Sequence, residues 1–253
     1  MTEKKFAELL AIMRRLRKEC PWDREQTHES IKSATLEESY EVLDSIDNKN
    51  FDELKSELGD LLLHIVFHSV IAEENKEFSI DDVIDAITQK LIRRHPHIFG
   101  DTIINSTNDI TKNWESIKLS EGRDSVLEGI PKNMPELHKS FRIQEKVSKV
   151  GFDWADKKLV WDKVLEEIAE LKEAETEQNQ DKIEDELGDL FFSLVNYSRF
   201  LNVNPENALR RTNKKFLDRF QYIETQLKKS GKSITESSLE EMDKFWEESK
   251  KII

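Results

Sequence analysis

A chain of 253 residues with 52 acidic and 39 basic side chains has a formal charge of −13, which disfavours a broad nucleic-acid-binding surface but leaves room for local phosphate contacts through a metal ion. Its single Cys20 excludes an intramolecular disulfide, and "MTEKKFAELL" has neither the apolar core nor the cleavage site of a secretory signal. The longest apolar run, "LLLHIVFHSVIA", is broken by His64 and His68 and falls short of the roughly 20 residues of a membrane span, so a cytoplasmic chain with no membrane and no direct nucleic-acid partner is expected.

Only 7 glycines and 5 prolines stand among abundant Glu, Lys, Leu and Ile, which suits long helices and an all-α fold. Helices are predicted over 3–19, 28–47, 51–74, 80–94, 108–120, 135–149, 158–176, 180–201, 205–229 and 238–250. Ser79 before "IDDVIDAI" and Asn204 before Pro205 and Glu206 are the expected caps of two of them. Between about 100 and 135 the chain collects Gly100, "NSTND", Gly122, Gly129, Pro131 and Pro135, a boundary composition. The expected organisation is an N-terminal domain at 1–100, a helical connector at 101–134 and a C-terminal domain at 135–253.

The two domains repeat one another. Residues 36–64, "LEESYEVLDSIDNKNFDELKSELGDLLLH", and residues 165–193, "LEEIAELKEAETEQNQDKIEDELGDLFFS", align without a gap at a constant offset of 129. Glu37, Glu38, Glu41, Glu57, Gly59 and Asp60 fall on Glu166, Glu167, Glu170, Glu186, Gly188 and Asp189. Glu38 and Glu41 share one helical face, as do Glu57 and Asp60. If the chain reverses at about Lys49, Glu41 lies level with Glu57 and Glu38 with Asp60, eight and eleven positions on either side of the reversal. In the second copy a reversal at about Gln178 pairs Glu170 with Glu186 and Glu167 with Asp189 in the same way.

Four convergent carboxylates repel one another and call for a cation between them. Their all-oxygen donor set suits Mg²⁺, with Mn²⁺ as a substitute, and lacks the Cys or His partners that zinc usually takes. A lone E-x-x-E in a charged helix is more often a solvated face, and the gapless duplication is what turns the balance. Gly59 and Gly188 lie inside predicted helices, where glycine costs roughly 1 kcal/mol relative to alanine, and they point to close packing. Leu54, Leu58, Leu61, Leu62 and Ile65 read as core.

With these residues in view, "CPWDREQTHESI", "LEESYEV", "ELGDLLLHIVFH" and "KLIRRHPHIFGD", followed by "GFDW", "VLEEIAEL", "EDELGDLFFSLVNYSRF" and "NKKFLDRF", closely resemble a tandem-domain MazG protein over almost the whole chain. The resemblance implies helical-hairpin domains with four-helix-bundle-like packing, completed by homodimerisation. It also implies hydrolysis of nucleoside triphosphates to monophosphate and pyrophosphate with Mg²⁺, and the expected range of NTP and dNTP substrates is broad. By the same resemblance Glu167, Glu170, Glu186 and Asp189 are the metal ligands, and the neighbouring Glu166 is a candidate for orienting the water.

Cations discriminate the two copies. Lys163 and Lys182 precede Glu167 and Glu186 by one helical turn, on the faces of the ligands, where the first copy has Ala34 and Glu53. The C-terminal cluster is therefore the expected working site, and Glu38, Glu41, Glu57 and Asp60 form a second candidate metal cluster. Lys215 and Arg219, one turn apart, would ordinarily be a solvated pair. Their place in "NKKFLDRF" makes them phosphate-binding candidates together with Asn213. In "KFWEESK", the resemblance makes Trp246 the residue that stacks on the nucleobase. Trp22, Trp114, Trp154 and Trp161 read as packing residues. So do His64 and His68, whose counterparts in the second copy are Ser193 and Tyr197.

Two other classes compete. A ferritin-like di-metal oxidoreductase also builds carboxylate sites in helical bundles, but it would use Glu-x-x-His pairs, and the one such pair, Glu25 with His28, lies outside the repeat. A non-catalytic helical adaptor would suit the charged surface but leaves the duplicated acids without a purpose.

Overall fold

The duplicated segment folds in both copies as an antiparallel pair of helices closed by a single left-handed residue. Lys49 and Gln178, the two expected reversal points, both adopt φ 55°, and the asparagine after each caps the returning helix. Asn50 accepts from the Glu53 amide and Asn179 from the Lys182 amide, each at 3.3 Å. One residue at positive φ followed by a polar cap lets the chain reverse within three positions and fixes the register of the acids on the two arms.

The computed structural model describes residues 1–102, 117, 122 and 124–253. In chain order the helices are α1 Thr2–Glu19, α2 Pro21–Glu25, α3 Lys32–Asp47, α4 Phe51–Glu74, α5 Ile80–Arg94 and α6 Pro96–Phe99, then α7 Glu136–Lys149, α8 Lys157–Glu177, α9 Gln180–Phe200, α10 Pro205–Lys229 and α11 Leu239–Ser249. A 3₁₀ turn at Ile234–Glu236 precedes the last helix. No strand occurs among the described residues. Apart from Ile117, the predicted helix at 108–120, Trp114 included, lies outside the described residues. Among the described residues no helix is long and apolar enough to cross a membrane.

Two compact units result, Met1–Ile104 and Asn105–Ile253. In the first, α1 lies along α4, and Met13, Ile31, Val66, Phe67, Val70 and Ile71 form its core with Phe6, Leu9, Leu10 and Leu63 packed against them. Buried Arg17 on α1 pairs with Glu74 at the end of α4 at 2.5 Å. Ser79 and Asp82 form the expected N-terminal cap of α5 as a reciprocal capping box. In the second unit α7 packs on α9 and α10, and Gln144 of α7 donates to the carbonyl of Phe192 on α9 at 2.9 Å. The ammonium of Lys146, only 4 % exposed, donates to the carbonyls of Val126 and Glu128 at 2.8 Å each and ties that stretch to α7. Asn204 caps α10 through the Asn207 amide at 3.0 Å.

Helix α3 starts at Lys32 rather than at 28. Thr27 and Ser30 exchange amide-to-hydroxyl bonds, Thr27 N–H to Ser30 Oγ at 2.9 Å and Ser30 N–H to Thr27 Oγ1 at 3.2 Å, and such local bonds compete with the helical ladder. The close packing expected around Gly59 and Gly188 is not seen among the described residues, since a Cβ added at either would meet no atom within 4 Å beyond its own helix backbone and chain neighbours.

Candidate active site

In the second unit the hairpin arms α8 and α9 bring Glu167, Glu186 and Asp189 together, with one oxygen from each lying within 4.8 Å of the others. Glu167 is the most enclosed of the three, at 4 % exposure, because it shares the inward stripe of α8 with Val160, Val164 and Ala174. Glu170 stands beside this trio rather than within it. Lost solvation and a hydrogen bond shared with Glu167 raise its carboxyl above the ordinary range, the charges of Glu167 and Glu186 add to the effect, and Lys163 opposes it. Crowding of like charges acts in this direction.

The two lysines behave differently. Lys163 lies across Glu166 and Glu167 with Nζ 2.8 Å from each, and its hydrogen bonds to Glu166 and then Glu167 hold it protonated well above the usual lysine range. The Lys182 ammonium reaches back to Glu177 at the end of α8, at 2.6 Å, and that hydrogen bond is the main cause of its raised pKa, with the charge of Glu186 a smaller one. One helical turn sets where a side chain starts, and a four-carbon stem decides where it ends.

A cleft of about 320 Å³ opens on the cluster and is lined by Lys163, Glu167 and Asp189 together with Trp154, Phe192 and Asn196, among others. Trp154 is placed there by a clamp. Arg199 on α9 holds the Asp153 carboxylate through both η nitrogens, at 2.9 Å for Nη1, and Asp153 Oδ1 accepts the Trp154 amide at 2.9 Å. Trp154 has the sequence character of a packing residue. Its only sign is the "GFDW" motif, because the arginine that fixes it is 46 positions away. Asn213, Lys215, Arg219 and Trp246 lie on α10 and α11 and are not among the described residues lining this cleft. Asn213 and Lys215 are exposed. The Arg219 guanidinium sits 5.7 Å from the Trp246 ring centre, and Phe216 packs against the same ring at 5.2 Å.

The first unit assembles the matching group from α3 and α4. Oxygens of Glu38, Glu41 and Glu57 lie within 4.8 Å of one another, and Asp60 stands beside them, its charge helping to raise the carboxyls of Glu38 and Glu57. In both of those the loss of solvation is the larger cause. Ala34 replaces Lys163, and Glu53 accepts from the side-chain amide of Asn50 at 2.9 Å, so the positions of the two lysines contribute no cation here.

Comparison with known proteins locates the MazG nucleotide pyrophosphohydrolase domain twice, at residues 26–99 and 156–223, spanning both acid clusters. A Thermotoga maritima protein named nucleoside triphosphate pyrophosphohydrolase/pyrophosphatase MazG is 48 % identical over 250 residues, 97 % of this chain and 95 % of its own length. An Escherichia coli (strain K12) protein named nucleoside triphosphate pyrophosphohydrolase is 42 % identical over 252 residues, covering 96 % of each chain. A longer Bacillus subtilis protein is 44 % identical over 251 residues, which are 97 % of this chain and 51 % of that one.

Proposed function

The chain belongs to the MazG nucleotide pyrophosphohydrolase family, and from that membership we propose that it hydrolyses nucleoside triphosphates to nucleoside monophosphate and pyrophosphate, with Mg²⁺ and across a broad range of ribo- and deoxynucleotides. The observation that carries the site assignment is the convergence of Glu167, Glu186 and Asp189 with Lys163 on one cleft. The membership sets aside the ferritin-like oxidoreductase and the adaptor.

The donor set fits a hard dication. It is all oxygen, three members lie within 4.8 Å, and the cluster already draws a lysine ammonium to 2.8 Å as a stand-in for positive charge. Glu167, Glu170, Glu186 and Asp189 would hold Mg²⁺, with Mn²⁺ able to replace it. The ion, when bound, neutralises phosphate oxygens and makes coordinated water more acidic. Lys163 can exchange its carboxylate partners for a phosphate oxygen. Glu166, exposed and hydrogen-bonded to Lys163, is proposed to accept a proton from water. Trp154 and Phe192 offer apolar faces beside the charged groups, and Asn196 offers an amide. Lys215, Arg219 and Asn213 are proposed to bind phosphate, and Trp246 to stack on the base, on the strength of the motif resemblance.

Bond choice tests the reading directly. Reaction in ¹⁸O-labelled water is expected to place the label in the nucleoside monophosphate and to release pyrophosphate, because water attacks the α-phosphorus. Orthophosphate with a diphosphate product would contradict it.

A homodimer is the proposed assembly. Leu187, Phe191, Phe192 and Leu194 on α9 are each about two-fifths to one-half exposed, and the open space at Gly188 lies in the same stretch. Helical hairpins usually cover such surface by packing into four-helix arrangements. Light scattering at micromolar concentration is expected to give twice the 29.8 kDa chain mass, and the single mass would reject the assembly.

A further inference from the structure

The clamp that places Trp154 also fixes a second side chain of the cleft. While its two η nitrogens hold the Asp153 carboxylate, Arg199 also donates from Nε and Nη2 to Asn196 Oδ1, at 3.2 and 3.0 Å. The guanidinium lies over the Phe200 ring, 4.6 Å from its centre, and is mostly buried. One arginine thus joins the residue before Trp154 to a side chain one turn back on its own helix.

That arrangement decides which end of the Asn196 amide is free. A guanidinium donates and never accepts, so asparagine can meet it only with its carbonyl oxygen. The Nδ2 amino group is left without a partner among the described residues and open to solvent. Asn196 lines the same cleft as Lys163, Glu167 and Asp189, so the cleft holds a directed donor whose own acceptor is already taken. The hairpin fold does not require this pair. Its equivalents in the first copy are Phe67 and Val70, both buried in that unit's core, and the polar pair is confined to the copy that carries Lys163.

Position along α9 indicates which part of a nucleotide this donor meets. Asn196 follows Asp189 by two helical turns on one face, about 10 Å along the axis, with Phe192 between them. The phosphates belong at the acidic end, beside Lys163. Next in a nucleotide comes the sugar, whose carbon face suits an indole such as Trp154 and whose hydroxyl oxygens accept hydrogen bonds. Of the two sugar hydroxyls, only the 3′ one is present in both ribo- and deoxynucleotides. We propose that Asn196 contacts substrate, donating from Nδ2 to the 3′-hydroxyl oxygen of the nucleoside triphosphate, and that Arg199 is the positioning residue that turns it to do so. The inference rests on the pyrophosphohydrolase reading and adds sugar recognition to the same site.

The test pairs a change in the protein with a change in the substrate, using the full chain and ATP, 2′-deoxyATP and 3′-deoxyATP. The unsubstituted chain is expected to use 3′-deoxyATP about tenfold or more less well at kcat/KM than ATP, and 2′-deoxyATP about as well as ATP. In Asn196→Ala the penalty for the missing 3′-hydroxyl should vanish, because each change removes the same contact. Arg199→Lys keeps a charge for Asp153 but loses the fork that also holds Asn196, so it should lose the discrimination while staying folded. Thermal melting follows each variant. Asn196→Asp, which still offers Arg199 an oxygen and replaces the donor with an acceptor, carries the same comparison if the alanine variant does not fold. A purely structural tie predicts a changed melting temperature with the sugar preference intact. Equal use of ATP and 3′-deoxyATP by the unsubstituted chain, or a 3′ penalty that survives loss of the Asn196 amide, would overturn the proposal and leave the pyrophosphohydrolase reading standing. Absence of monophosphate from ATP would reject that reading instead, and the 3′ preference would then be read from calorimetric binding of the same nucleotides.

Discussion

Replacing Glu167 or Asp189 with alanine is expected to lower hydrolysis of every nucleoside triphosphate by about a thousandfold or more, whereas Glu38→Ala and Asp60→Ala should cost far less. Both second-unit residues line the cleft that contains Lys163, and both contribute an oxygen to the same trio. A thousandfold in rate is about 4 kcal/mol of transition-state stabilisation, the scale on which a lost metal ligand acts. Folding must be followed beside turnover. Taking one acid from a repulsive cluster relieves charge, so the metal-free melting temperature should hold or rise while turnover collapses. Steady-state rates over a panel of nucleotides, with thermal melting of each variant, decide the matter. If Glu38→Ala abolished activity and Glu167→Ala preserved it, the assignment of the working cluster to the second unit would be wrong.

The parts of this site that were legible in the sequence are those set by local periodicity. The acids repeat at helical spacing about a reversal, and a single left-handed residue at Lys49 and at Gln178 is enough to set their heights, so their convergence follows from counting. Counting does not reach interactions between distant segments. Trp154 depends on the Asp153–Arg199 clamp, and His64 is held by Thr35 from the opposite arm of its hairpin. Both residues have the sequence character of packing positions, because the partner that gives each its direction lies on another element. The late start of α3 has a local cause instead, the Thr27–Ser30 bonds, which periodicity does not register. Lys182 marks a further limit: its starting face follows from helix geometry, but its terminal ammonium goes to the nearest carboxylate at the hairpin end.

That difference between the lysines has a large consequence for rate. Lys163→Met should reduce hydrolysis by about a hundredfold or more, the usual scale for losing one preorganised charged donor at a reacting phosphate or oxyanion, while Lys182→Met should leave it nearly unchanged. Lys163 is the cation in contact with the enclosed Glu167, and its raised pKa keeps it charged throughout neutral pH. The sign follows: a lysine whose folded pKa lies above its unfolded value contributes fully below the unfolded value and loses that contribution only as pH rises through the folded one, so the defect should be constant across neutral pH. Lys182 and Glu177 form an exposed pair at the hairpin end, where solvent screens their attraction. The variants also separate charge balance from chemistry. Without Lys163 the buried Glu167 loses its counter-charge, so the metal-free protein should melt earlier, and added Mg²⁺ should restore the melting temperature but not the rate, since the ion replaces the lysine against the acids and not against the phosphate. Recovery of rate along with stability would reduce Lys163 to a structural counter-ion, and a larger loss from Lys182→Met than from Lys163→Met would show that the ammonium of Lys182 leaves Glu177 for the substrate.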